Sequence, residues 1–590
     1  MKYKKQLFDY AVKDYKRILG DLSYKSFFLI YDLDDEKAFY SIAPLSQAIH
    51  ELHSDLFVIS NSKQGCIEYD ILKKIWEVYK EHEFNKRGQN TKYLSHFIKA
   101  VSVKFDNSKF EKLFKAPALI IESGKIGFNA GKIKLPYKYK WFKPYKLKQL
   151  TSATQKIWKN VFALKKKEKV QIDLPLIPPE NILKLPLEDY LDSYAITWLL
   201  MKSAKSLGAF PVIKGKTVRV SPFEPAEHIF DLLETLQGCE HCKKSSEAVF
   251  KSYSDISKIF KLKDLVPPTA ELIISPQGFR GRHFFGECIG YPTSNGKSRW
   301  DSPAKMFLKQ SDEPQSYEDD RLPMTRIALT ETLPIDVFVE TTNINYKKFR
   351  DITRKLYMEL QGCIMINVVG SEGNDSHSTN LLVDISHRKL FPDYSDVTTI
   401  VDKELFKKTK ISFGRYTNIP GGEVFFTPQS MQGTFVGDVV MHTDRSVKLS
   451  SKHPIIVEVQ DGRYQIIKAE KDILLNIEHV KEEHLKILFE KEKSGALPQE
   501  FIESQKSNFD RIGEFAINTH PTAKICDYLV VNEKIARMIH IALGMGFEKD
   551  RQTVYHFDIV IDAAKQKLDI YGVKPDGSEV WILKKGRMVI

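Results

Sequence analysis

Asn418-Ile419-Pro420-Gly421-Gly422-Glu423-Val424-Phe425 is the stretch on which the reading of the fold turns. A Pro-Gly-Gly turn gives way to a β-prone run, so a strand opens at Glu423. Arg511-Ile512-Gly513-Glu514-Phe515-Ala516-Ile517-Asn518 repeats the device, with a carboxylate at a strand start directly after glycine. From about Ile411 onward the texture is of short strands: 423–427, 434–441, 454–460, 463–467, 514–518, 556–561, 567–571 and 581–583. One long helix over Asp472–Lys493 and a second over Asn532–Leu543 interrupt them. The spacing predicts a β-rich α+β domain over residues 406–590.

Upstream, apolar runs alternate with helical periods, which argues for α/β layers. Ser26–Tyr31 and Ala118–Glu122 read as strands, and Leu45–Leu52 and Ile71–Tyr79 as amphipathic helices. A proline cluster at Pro175, Pro178, Pro179 and Pro186 suggests a linker near residues 170–186. Beyond it, a helix over Tyr190–Leu207 precedes strands at Phe210–Ile213 and Thr217–Val220. Residues 290–325 are polar and read as a long loop. Val337–Thr341 and Cys363–Val369 read as strands flanking a helix over Tyr346–Leu360. The expected fold class is therefore α/β followed by α+β. Its divisions are an accessory α/β region at 1–175, an α/β domain with a polar insertion at 180–405, and a β-rich metal-binding domain at 406–590. No short-period repeat is present, and one sequence does not show whether the two α/β regions are distant copies.

The 590 residues carry 89 Lys+Arg against 76 Asp+Glu, a net +13, with 42% hydrophobic and 28% charged residues. These are ordinary values for a globular protein and exclude wholesale disorder, collagen and a disulfide-rich miniprotein. No run approaches the roughly 18 apolar residues of a membrane helix, and Met1–Asp14 lacks an apolar signal core. A cytoplasmic location is expected, with the six scattered cysteines reduced. The charge balance permits an acidic partner without requiring one.

Residues 132–169 hold thirteen lysines and one acid, Glu168, with Tyr137, Tyr139, Trp141, Phe142, Tyr145, Trp158 and Phe162 interleaved. Lysines neutralise phosphates and aromatic rings stack on bases, so a nucleic-acid surface is conceivable. No recognised binding motif accompanies the charge, and a solvated face with lysine stems over a small core is the favoured reading. Three further motifs are weak. Asp32-Leu33-Asp34-Asp35 reads as an acidic strand-end turn. Asn295-Gly296-Lys297-Ser298 lacks the upstream glycine of a phosphate loop. Cys239-Glu240-His241-Cys242 is half a zinc site, and His283 and Cys288 are its only evident complement.

The residues that carry chemistry lie in the last third. Glu423 and Glu514 open strands beside glycines, which let a ligand approach the backbone. His540 sits in Asn532-Glu533-Lys534-Ile535-Ala536-Arg537-Met538-Ile539-His540-Ile541-Ala542-Leu543-Gly544, where a helix would put Glu533 two turns away on the same face. His556 and Asp558 are two apart on a strand and share a side. Three carboxylates and two imidazoles suit zinc, cobalt, manganese or iron. Without cations, close carboxylates repel and one pKa rises.

These four segments resemble the aminopeptidase T family of metallopeptidases, often labelled leucyl aminopeptidase. The resemblance covers roughly residues 360–590, fades back to about 185, and leaves the first 170 residues as an extra N-terminal region. It implies an α/β domain followed by a β-rich catalytic domain, commonly dimeric. It also implies a site for two divalent ions, zinc, cobalt or manganese, held by Glu423, Glu514, His540, His556 and Asp558. The expected activity is removal of N-terminal residues from peptides by a metal-activated water, with Glu514 or Glu533 moving the proton. Typical members carry a tyrosine seven residues after the histidine of the third segment, where this chain has Phe547. Two alternatives stand beside this reading. One is a mononuclear-iron ring-opening dioxygenase using His540, His556 and Asp558. The other is a binding protein that engages nucleic acid or an acidic partner through its basic arm.

Overall fold

The computed structural model describes residues 3–19, 26–32, 36–52, 55–61, 118–122, 141, 145–176, 186–216, 269–275, 326–370, 378–397, 416–443, 446–494, 499–551 and 553–590. It divides into two units. The first comprises Met1–Pro276 with Glu318–Ile327 and Thr332–Ile335, and the second comprises Gln277–Tyr317, Ala328–Glu331 and Asp336–Ile590. Predictions for 71–79, 217–220, 290–325, the Cys239–Cys242 pair, His283, Cys288 and Asn295–Ser298 lie outside the described residues.

The first unit is an α/β layer structure built on a largely parallel sheet. Ser26–Asp32 runs parallel to Asp55–Asn61 on one side and to Ala118–Glu122 on the other. Lys169–Pro175 runs parallel to Phe210–Lys216 and to Ala270–Ser275 in the same way. The two trios meet where Asp55–Asn61 pairs antiparallel with Phe210–Lys216. Each trio has its first strand in the middle, and each first strand is preceded by one helix and followed by another: Lys5–Leu19 and Glu36–Glu51, then Leu147–Lys156 and Leu187–Ser206. The arrangement is one topology laid down twice. The stretch read as a linker is corrected in part, because Lys169–Pro175 is the central strand of the second trio. Its proline falls at the last position of the strand, where a missing N–H costs the ladder least.

The lysine-rich segment is built around its aromatics. Trp141, Trp158 and Phe162 are fully buried. The Trp158 indole N–H donates to the Leu200 carbonyl at 2.8 Å, pinning its helix to Leu187–Ser206. Glu168, the lone acid, pairs with the Arg326 guanidinium at 2.6 Å. These three rings are buried, so they are not available for base stacking.

The second unit is a sandwich of two antiparallel sheets. One has eight strands, and the other has seven in the spatial order 391–393, 423–426, 512–518, 539–544, 556–561, 440–442, 446–448. Val424, Phe426, Phe515, Ile517, Ile539, Ile541, Leu543, Phe557, Ile559 and Ile561 supply the core face of the seven-stranded sheet. Facing residues such as Ile366, Val368, Val383, Phe435, Val457 and Ile570 come from the other sheet. Lys471–Ser494 adds Ile473, Ile477 and Val480, a helical stripe, to the same core.

Two element types differ from expectation. Ile335–Thr342 is a helix rather than a strand. The Asp192 carboxylate accepts the Ile335 N–H at 2.9 Å and so satisfies an orphan donor of the first turn. Ile335, Phe338 and Val339 are buried at helical spacing. The larger correction concerns His540. Ile539–Gly544 is a central strand, and the chain before it forms only a short helix, Leu529–Asn532, before turning through Arg537 at φ 66°. Alanine, leucine and lysine favour a helix there, yet the Ile539, Ile541, Leu543 alternation fits a sheet face and burial between two neighbouring strands prevails. Glu533 therefore does not share a helix face with His540.

Replacing Trp158 by alanine is expected to cost about 3–5 kcal/mol of stability, seen as a lowered denaturant midpoint. A variant of unchanged stability but weakened RNA binding would instead put this ring on a working surface.

Candidate metal centre

Period-two alternation on adjacent strands places the chemistry. The apolar residues at 424, 426, 515, 517, 539, 541, 543, 557, 559 and 561 enter the core, so the residues between them emerge on the opposite face. Register then gathers them. Glu423 lies opposite Asn518, Ala516 opposite His540, and Ala542 opposite both Glu514 and Asp558. The two alanines leave space where a larger side chain would fill the floor.

The turn before Glu423 is locked from beneath. The Gly421 N–H donates to Ser395 Oγ at 2.7 Å, and the Ser395 N–H donates to Asp393 Oδ1 at 3.0 Å. A Cβ at Gly421 would collide with the Asp393 carboxylate, and Gly422 takes φ +124°. Glycine is required at both positions. Gly513, before Glu514, lies so close to the Met545 carbonyl that no side chain fits.

Both imidazoles are oriented in one way. His540 Nδ1 donates to Asn518 Oδ1 at 3.0 Å, and His556 Nδ1 donates to the Met545 carbonyl at 2.8 Å. Each Nε2 is thereby turned toward the carboxylates. His540 Nε2 lies 3.3 Å from Glu514 Oε1 and 3.7 Å from Glu423 Oε2. His556 Nε2 lies 3.2 Å from Glu514 Oε2 and 3.2 Å from Asp558 Oδ1. All five residues proposed as ligands thus converge. They form two groups, Glu423–Glu514–His540 and Glu514–His556–Asp558, with the potential ligand atoms of each group within 4.8 Å of one another. Glu514 belongs to both and offers one oxygen to each side.

Electrostatics reflect the burial of carboxylates and imidazoles in one cluster. Burial pushes the Glu423 carboxyl up to about 8 although the Lys534 ammonium touches it. Burial acts against ionised Glu514 too, but hydrogen bonds from His540 and His556 outweigh it and hold its carboxyl below the usual range. Burial likewise opposes the charged imidazoles, yet Glu514 and its neighbours raise His540 to about 9, and Asp558 raises His556 well above its ordinary value. Glu423 Oε2 and Asp558 Oδ1 are buried and accept no hydrogen bond. Orphaned carboxylate oxygens beside imidazole nitrogens are a donor set that fits divalent ions, so the residues present suit the metal that the sequence resemblance implies.

Two neighbours were not anticipated. Lys534 is 2% exposed and donates to Glu423, with its Nζ 3.1 Å from Glu533 Oε1. Within a stretch that reads as helix, nothing local marks this lysine as buried. His442 lies opposite Asp558 across a strand pair; burial acts against ionised Asp558, but His556 above all, then His540 and His442, hold its carboxyl well below the usual range. Glu533 is in neither ligand group and reaches the centre through Lys534. Phe547 packs on Phe425 at 4.7 Å and edge-on to His556 at 6.1 Å between ring centroids, so the position noted in the sequence stands beside the centre.

No protein-family model matches the chain, and no curated protein does. Among solved structures it is similar to wild-type AmpT from Thermus thermophilus at 15% identity and TM-score 0.38, over 75% of this chain and 99% of that one. So loose an overlap carries no functional weight. Among the described residues no helix is long and apolar enough to cross a membrane. Cys363 and Cys526 are free thiols.

Ion uptake has to displace imidazolium protons, so zinc affinity should rise between pH 6.5 and about 9. Calorimetry in buffers of different ionisation enthalpy should show proton release, and uptake without it would contradict the ligand assignment. In the metal-free protein the sign reverses. The raised His540 value stabilises the fold fully below 6.5, and that contribution is lost as pH rises through about 9.

Proposed function

We propose that this protein is a metal-dependent hydrolase that removes the N-terminal residue from peptides. The observation that carries the reading is the shared carboxylate. Glu514 faces two ligand groups, each completed by one imidazole and one further carboxylate, Glu423 or Asp558. When bound, divalent ions at such a centre supply an acidified water and charge for the carbonyl oxygen.

The chain's own residues supply the rest. Asn518 and the Met545 carbonyl fix the imidazoles so that both Nε2 atoms face inward. Glu514 is committed to both groups, so Glu533, outside them and held by Lys534, is the proposed carrier of the proton to the leaving amine. The density of acids favours a substrate that presents a free cationic α-amine. Phe391, Phe425 and Phe547, whose rings pack together at the edge of the centre, offer an apolar wall to the first side chain. The motif resemblance points to the same chemistry. Each ligand group contains a single imidazole, which favours this reading over an iron dioxygenase built on two histidines and one aspartate.

The test is hydrolysis of a panel of amino-acid amides. Activity should favour apolar first residues, vanish on chelation, return with zinc, cobalt or manganese, and fall by at least about a hundredfold in Glu514→Gln. Full turnover by the chelated protein or by that variant would refute the proposal.

A further inference from the structure

We propose that Lys534 makes the two ion positions unequal, so that Glu514–His556–Asp558 fills first and Glu423–Glu514–His540 fills second and more weakly. The inference rests on the metal reading above and adds an order of filling to it.

The asymmetry is in the contacts. Glu423 gives one oxygen, Oε1, to the buried Lys534 ammonium, which leaves Oε2 as its only donor toward His540. Lys534 sits directly on this ligand, and Glu533 meets the same ammonium from 3.1 Å. A cation arriving at this position therefore stands within one carboxylate's width of a fixed positive charge, in surroundings that screen it poorly. The charged hydrogen bond also draws electron density from the ligand. On the other side, the close partners of Glu514 Oε2 and Asp558 Oδ1 are both the same nitrogen, His556 Nε2. That nitrogen is itself a ligand atom, and although His442 stands opposite Asp558 across a strand pair, no buried ammonium among the described residues is bonded to a ligand oxygen on this side as Lys534 is to Glu423. Backbone connectivity keeps the difference in place. Lys534 follows the short Leu529–Asn532 helix, the His520 N–H donates to its carbonyl at 2.9 Å, and its buried ammonium is held between Glu423 and Glu533.

The experiment is a zinc and cobalt titration of the full chain, with bound metal counted by elemental analysis after dialysis at graded free-ion concentrations. Wild type should show one ion that survives dialysis and a second at least tenfold weaker. Asp558→Asn should lose the tight ion. Glu423→Gln should lose the weak ion and keep the tight one. Lys534→Gln should narrow the gap. Should that variant not fold, the Asp558→Asn and Glu423→Gln pair decides the order without it. Two ions of equal affinity, loss of the tight ion in Glu423→Gln, or a wider gap in Lys534→Gln would overturn the ordering while leaving the metal reading intact. Failure of wild type to bind any ion would remove both.

Discussion

Four neighbouring strands send their apolar side chains to one side and their acids and imidazoles to the other, and the second unit depends on that division. The apolar face is closed against a second sheet, which fixes the strands rigidly and in register. The polar face is then obliged to hold three buried carboxylates close together, a configuration that water would relieve and burial does not. The protein compensates with two imidazoles and one lysine, all drawn into the cluster. Two carboxylate oxygens still accept no hydrogen bond. The free energy that closes the sandwich is what holds this cluster together.

The supports around the centre follow from this. Side-chain or backbone oxygens take the outer nitrogen of each histidine, so the inner nitrogens have fixed directions. Ser395 and Asp393 hold the turn that delivers Glu423. Glycines at 421, 422 and 513 remove side chains where backbone and carboxylate crowd together. Alanines at 516 and 542 leave the floor of the centre low. Ligand, support and clearance come from different strands, and each is governed by the same alternation.

The first unit has a different logic. Among its described residues, the lysine-rich segment runs through a helix that carries buried Trp158 and ends at buried Phe162, and Trp141 is buried too. A basic stretch with interleaved aromatics is thus ambiguous until the direction of the rings is known.

Much of this was legible in the chain. Glycine turns ahead of Glu423 and Glu514, and the two-residue spacing of His556 and Asp558, are local signals, so those strands and their ligands could be read directly. The α/β character of the first part was equally open, since strand and helix periods differ. What local signals could not supply was His540's strand, Lys534's burial and the pairing of residues as far apart as 423 and 534. Helix-favouring residues fill 532–544, and only flanking strands, brought in from 512–518 and 556–561, make an extended conformation the better one. A lysine is ordinarily solvated, and it is buried here only because two distant acids meet it. The sequence by itself determined which residue types could bind cations and, for all but His540, which strands carry them. The tertiary structure decided that they share one centre, that Glu514 stands between its two halves, and that one half already holds a positive charge. Register across a sheet is a relation between segments, and no single segment encodes it.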